Sequence, residues 1–165
     1  MTVTTKIAFK DFWSFYWKNF LLKPLPMIAF IVLIAYFIKQ LINAFEYGFN
    51  WISVLIPLIF PLFVVFFIFK AYSTSKKAFL SNKKIQEENT YTFTPEKIVI
   101  KGETFENEYS WNSIYQIREL KNWFLIYQSL QIMNMVPKKD FTREQVSELR
   151  SIITNNGIKA KLRND

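Results

Sequence analysis

Apolar positions are distributed unevenly along the chain. Leu25–Phe45 is a run of 21 residues carrying one charge, Lys39, and Trp51–Phe69 is a run of 19 carrying none. A helix rises 1.5 Å per residue, so either run spans roughly 28–32 Å, about the hydrocarbon thickness of a bilayer. The pattern predicts a transmembrane helical hairpin joined through Glu46–Asn50. Lys39 stands near the outer end of the first run, where its long stem can snorkel to the interface; lining an ion path would need a second buried charge. Pro24 and Pro26 open that run, where missing amide donors cost least. Pro57 and Pro61 fall on one face of the second run and predict a bend. Tyr47 and Trp51 suit the outer interface.

Before the hairpin, Trp13, Phe15, Tyr16, Trp17 and Phe20 interleave with Lys10, Lys18 and Lys23, behind Asp11 as a helix cap. Rings beside lysines predict an interfacial helix along the inner leaflet, within a cytoplasmic segment 1–23. A secretory signal does not fit, because the apolar run begins late, is too long, and lacks a small-residue cleavage site. After the hairpin (24–70), Lys70–Gln86 reads as a basic helical connector, 71–86 as a segment.

From Glu87 the pattern changes to short alternating runs. Tyr91–Thr94, Lys97–Lys101, Phe105–Trp111, Ile114–Leu120, Trp123–Gln128 and Leu130–Val136 predict six strands, with turns at Thr94-Pro95-Glu96 and Gly102. Thr142 with Gln145 predicts a capped helix whose stripe is Val146, Leu149, Ile152 and Ile153, ended by Asn156-Gly157. Ile158–Asp165 reads as a loosely ordered tail. The fold class expected is therefore membrane α+β: a helical hairpin, then a small sheet or partial barrel closed by a C-terminal helix, over 87–165. Trp111, Ile114, Phe124, Ile126, Phe141 and Leu149 are its expected core.

Composition changes the functional picture more than the structural one. The 165 residues include no Cys and no His. Disulfides, thiolate nucleophiles, Cys/His zinc sites and imidazole bases are excluded, so a non-enzymatic protein without catalytic residues, cofactor or metal is expected. The formal net charge of +8 is not spread evenly. Four Lys against Asp11 precede the hairpin, five Lys follow it in 70–84, and eleven basic residues balance eleven acidic ones from Ile85 onward. That is the positive-inside pattern, with both termini cytoplasmic and two spans. Lys18, Lys23, Lys70, Lys76, Lys77, Lys83 and Lys84 are the candidate membrane-surface residues, with anionic headgroups as their partner. A nucleic-acid role would need a basic face on the domain, and its balanced charge argues against that role, so nucleic acid is not expected as a partner. Arg118, Lys121, Lys138 and Lys139 are the candidate ligand or partner contacts. Glu103, Glu106 and Glu108 form an acidic group expected to face solvent.

Several short segments, in order, resemble the YcxB-like family of bacterial membrane proteins. They are Ile7-Ala8-Phe9-Lys10-Asp11-Phe12 before the hairpin, Tyr109-Ser110-Trp111-Asn112-Ser113-Ile114, Phe124-Leu125-Ile126-Tyr127, Val136-Pro137-Lys138-Lys139-Asp140-Phe141, and the closing Glu148-Leu149-Arg150. Val136 stands where the family more usually has Ile. The resemblance implies a cytoplasmic pleckstrin-homology-like domain and no particular activity. The function expected is a bacterial inner (cytoplasmic) membrane protein whose domain binds a protein partner or the membrane surface. The alternative is an immunity protein neutralising a membrane-targeting toxin, since an inhibitor needs no catalytic apparatus. Expected partners are membrane lipids, a protein or toxin, and further copies of the chain as a homo-oligomer.

Overall fold

Strand β1 (Thr2–Lys6) finds its partner far along the chain, in β2 (Glu88–Phe93). The two pair antiparallel, with Thr2 opposite Thr92 and Lys6 opposite Glu88. Val3 and Thr5 are buried while Thr2, Thr4 and Lys6 are exposed, the alternation of a strand with one face on a core. On the exposed face the hydroxyls of Thr2 and Thr4 meet those of Thr92 and Thr90 at 3.2 and 3.0 Å. β3 (Lys97–Lys101) and β4 (Glu106–Ser110) continue this sheet in the order β1-β2-β3-β4. A second sheet holds β5 (Gln116–Glu119), β6 (Trp123–Tyr127), β7 (Met133–Pro137) and β8 (Ala160–Lys161), in the order β7-β6-β5-β8.

The structure is a computed structural model that describes residues 1–21, 23–47 and 51–164. It divides into two compact units: Met1–Ile7 with Asn82–Asp165, and Ala8–Ser81. The first contains both sheets, a one-turn helix α4 (Lys83–Gln86) and helix α5 (Arg143–Asn155). The second contains α1 (Phe9–Leu21), α2 (Pro24–Glu46) and α3 (Trp51–Ser81).

In the sheet unit the core joins Phe93, Ile98, Ile100, Trp111, Ile114, Ile117, Phe124, Ile126, Val136, Leu149 and Ile153. Five of the six expected core residues are buried, and Phe141 packs partly buried against them, its ring 5.8 Å from Phe124. Trp111 keeps its one polar group satisfied by donating from Nε1 to the Thr94 carbonyl at 2.9 Å. Helix α5 begins as its sequence predicts: the Thr142 hydroxyl accepts from the Gln145 amide, and Gln145 Oε1 accepts from the Thr142 amide at 2.9 Å. Gly157 ends it at φ +64°, the left-handed stop that favours glycine.

Three expectations are corrected. Segment 1–23 is not one interfacial piece: Thr2–Lys6 is a strand of the sheet unit, and the helix begins only at Phe9. The tail is not loose, because Ala160–Lys161 adds to β5 in parallel and Leu162 packs against the core. Leu130 does not open the last strand. Ser129 Oγ accepts from the amides of Gln131 and Ile132 at 3.2 and 3.1 Å, closing a turn that delays β7 to Met133 and leaves Leu130 and Ile132 exposed.

In the helical unit, α3 remains helical from Trp51 through the whole expected span and most of the expected connector, to Ser81. Asn82 then caps α4 by accepting from the Ile85 amide. Among the described residues one stretch, Met27–Glu46, is long and apolar enough to cross a membrane. The expected turn residues 48–50, and Leu22 in the expected interfacial helix, lie outside the described residues. α1 and α3 are joined by rings: Phe9 and Trp13 each meet Tyr72 edge-on at 5.3 Å, and Phe9 and Phe12 lie 5.6 and 5.5 Å from Phe79.

Candidate functional site

The polar centre of the sheet unit is a carboxylate on the wrong face of a strand. In β5, Ile117 and Glu119 share the inward register, so the last residue of the strand carries its charge toward the core. The Glu119 side chain is fully buried, at 0% exposure. Arg150 on α5 donates from Nε to Oε2 at 2.9 Å and from Nη2 to Oε1 at 2.7 Å, a bidentate fork. Lys138, just past β7, donates to Oε1 at 2.5 Å, and the Arg163 amide donates to Oε2 at 3.0 Å. Four donors from three separate stretches therefore converge on one carboxylate. Burial pushes its pKa up, but the hydrogen bonds from Arg150, Lys138 and the Arg163 amide outweigh that and hold it below its ordinary value.

Chemically this cluster is a clamp. Both oxygens are already occupied by donors, which leaves the carboxylate no room to take a proton from a substrate. Its effect is to tie α5, the end of β7 and the C-terminal strand to β5. Lys138 is held further by the Phe124 ring, 5.1 Å from its ammonium.

A second carboxylate makes a similar tie at the start of β2. Glu87 is buried, and Thr104 donates to it from its amide at 2.9 Å and from its hydroxyl at 2.5 Å. Those two bonds hold the Glu87 pKa below the usual carboxylate range. Gly102 makes room for this: a Cβ there would lie 2.5 Å from Glu87 Oε2 and 2.5 Å from the Phe105 ring. Among the described residues no group of three or more His, Cys, Asp or Glu is placed to hold a metal ion.

The expected contact residues are not brought together as one patch. Lys138 turns inward to Glu119, with 13% of its side chain exposed. Arg118 is exposed, on the face of β5 opposite Ile117 and Glu119; Lys121 sits in the β5–β6 turn, and Lys139 is exposed after β7. The lysines expected at a membrane surface divide between the units: Lys18, Lys23, Lys70, Lys76 and Lys77 in the helical one, Lys83 and Lys84 on α4 in the other, all exposed. Lys84 lies over the Phe105 ring at 5.1 Å. Glu106 and Glu108 face outward as expected and pair with Lys101 and Lys97 of the neighbouring strand, at 3.9 and 2.8 Å. Of the residues that carry the clamp beside Lys138, Glu119 and Arg163 were not singled out from the sequence, and Arg150 entered only within the closing segment of the family resemblance. The available signal was a glutamate on the apolar register of an alternating strand.

The class these features define is an α+β domain of two four-stranded sheets, its C-terminal helix clamped by a buried carboxylate, with an apolar helical unit spliced between its first two strands. Residues 93–153 match the family model described as YcxB-like protein, which supports the YcxB-like family for this stretch. It is also similar to the uncharacterized protein YcxB of Bacillus subtilis (strain 168), at 27% identity over 112 residues. That alignment covers 67% of this chain and 60% of the relative, so the chain spans about 60% of the relative's length. No solved structure matches the chain.

Proposed function

We propose that the protein is a non-enzymatic component of a bacterial inner membrane. In this reading α2 and the apolar part of α3 form a transmembrane hairpin, and the two-sheet unit is a cytoplasmic pleckstrin-homology-like domain that binds a protein partner or the membrane surface. The observation that carries it is the pairing of β1 with β2. Lys6 lies opposite Glu88, so the chain leaves the sheet unit and returns to it at neighbouring points. A segment whose two ends meet in one sheet must cross a membrane an even number of times, or not at all. Met27–Glu46 supplies one candidate crossing, and the apolar run Trp51–Phe69 of α3 is the available second. Two sheets followed by a helix support the pleckstrin-homology-like assignment. The lysines flanking the apolar runs support a cytoplasmic side for the domain.

A binding role is supported by the β6–β7 turn, where Leu130 and Ile132 are 77% and 59% exposed. Isolated apolar side chains at a turn tip are common enough, but two of this size suit docking on lipid or a partner.

The chain has no Cys, so single cysteines can report its topology. With Tyr47→Cys, a membrane-impermeant maleimide is expected to label intact spheroplasts. With Leu130→Cys, labelling is expected only after lysis. Labelling of Leu130→Cys in intact spheroplasts would overturn the proposed orientation, and protection of both positions would overturn the hairpin. A photo-crosslinker at position 130 then reads what the turn touches; capture of neither lipid nor protein in native membranes would remove the binding role.

A further inference from the structure

The helical unit contains a crevice. Trp13 of α1 and Val65, Ile68, Phe69 and Tyr72 of α3 line an open groove of about 330 Å³ with almost wholly apolar walls, Val65 and Phe69 being 64% and 70% exposed. The α3 residues follow the i, i+3, i+4, i+7 spacing of one helical face. Ring contacts run from Phe9 to Phe79 and from Trp13 to Tyr72, so α1 and α3 lie antiparallel where they touch. The direction from Trp13 toward Phe9 is therefore the direction from Tyr72 toward Phe79. One turn along it from the crevice stand Lys10, three residues before Trp13, and Lys76, four residues after Tyr72, both exposed. Both lie on the side away from the apolar run that ends at Phe69.

We propose that this crevice holds one acyl chain of an anionic phospholipid, with the lipid phosphate at Lys10 and Lys76. The inference rests on the membrane reading above. An open apolar groove gains by being covered with apolar groups rather than water, and next to an apolar span the available filling is hydrocarbon. Charge selects the headgroup. Between residues 8 and 81 the acidic residues are Asp11, on a neighbouring face of α1, and Glu46, at the far end of α2, against lysines at 10, 18, 23, 39, 70, 76 and 77. A phosphate at the two-lysine end completes an arrangement that is otherwise a concentration of positive charge beside an apolar slot.

The test uses the full chain in a zwitterionic detergent, titrated with brominated phosphatidylglycerol while tryptophan fluorescence is read. Saturable quenching is expected, and brominated phosphatidylcholine is expected to quench far more weakly. The Lys10→Gln/Lys76→Gln double variant should lose about thirtyfold in apparent affinity, the change equivalent to about 1 kcal/mol for each lysine near an anionic lipid. Lys10→Arg/Lys76→Arg should retain binding, and Val65→Phe, which fills the slot, should abolish it. Equal affinity for both lipids, or undiminished binding by both the glutamine pair and Val65→Phe, would overturn the site. Carbonate extraction of cells expressing the same protein separates the two readings. Protein that stays in the membrane but binds without selectivity overturns the crevice alone, whereas protein absent from the membrane overturns the membrane reading and the lipid site with it.

Discussion

Glu119→Gln isolates the clamp, because it keeps the shape of the side chain and removes its charge. The variant leaves Lys138 and Arg150 facing a neutral amide whose NH2 group adds a donor where four donors already point. Breaking a buried ion pair by removing one partner costs roughly 3–5 kcal/mol. Here the carboxylate is wholly buried, but its partners retain 13% and 23% exposure, so water can recover part of their solvation. The lower end, about 3 kcal/mol, is the expected loss. That is a large share of the roughly 5–15 kcal/mol that holds a domain folded. In hydrogen exchange on the full chain, amides of Gln116–Glu119 and Trp123–Tyr127 should exchange roughly a hundredfold faster than in the wild type. Lys97→Gln, which breaks the exposed pair with Glu108, is the control and should change rates by less than about fivefold. Acid gives a second readout. The folded Glu119 carboxyl lies below its ordinary value of 4.5, so its contribution is complete above that value and is lost as pH falls through the folded pKa. The wild type should lose protection in that acidic window, while Glu119→Gln lacks that component of the loss. Exchange in Glu119→Gln within threefold of the wild type at neutral pH would refute the clamp.

Three further substitutions test the fold at separate points. Gly102→Ala puts a Cβ against Glu87 and the Phe105 ring and should cost roughly 1–3 kcal/mol, read as a lower urea midpoint for the full chain in detergent. Thr142→Ala removes the capping box of α5 and should cost about 1 kcal/mol, with faster exchange concentrated in the first turn of that helix. Leu149→Ala opens a cavity under α5 in a fully packed site and should cost roughly 2–5 kcal/mol, again read from the urea midpoint.

What could be read from the sequence was what local pattern encodes. Ile98 and Ile100 alternate with Lys97, Val99 and Lys101, and β3 falls on those five residues. Thr142 with Gln145, and Asn156 with Gly157, fixed both ends of α5 because caps are chemical signals confined to one turn. What escaped depends on distant partners. Thr2–Lys6 is mostly polar and only five residues long, and nothing near it says that its mate lies at Glu88–Phe93. Glu119 reads as an ordinary strand end until Arg150 and Lys138 arrive from two other elements. Leu130 misled because apolar character suggested strand, whereas the Ser129 hydroxyl bound the backbone into a turn. Lys138 looked like a surface charge in a turn, and only the buried carboxylate reveals that it points inward.

The splice between β1 and β2 has a consequence for assembly. Strands β2, β3 and β4 pair with their immediate sequence neighbours, and such local pairings form early because little chain must be closed. β1 waits for a partner on the other side of the helical unit. It is fastened there by the ladder with β2, by the Thr5 hydroxyl donating to Asp140 at 2.5 Å, and by Gln145 donating to the Thr2 carbonyl at 3.3 Å. Val3→Asp, a charge at a buried edge position, should therefore release β1 while leaving β2–β4 paired. In exchange measurements the amides of Thr2–Lys6 and the outward amides of Glu88–Phe93 should lose protection first, with those of Lys97–Lys101 and the second sheet largely kept. The released β2 edge would be a free row of donors and acceptors, and the variant should show concentration-dependent association beyond that of the wild type. Equal loss of protection across both sheets would mean that β1 belongs to the folding nucleus itself, and that the sheet unit cannot form until both sides of the splice are in place.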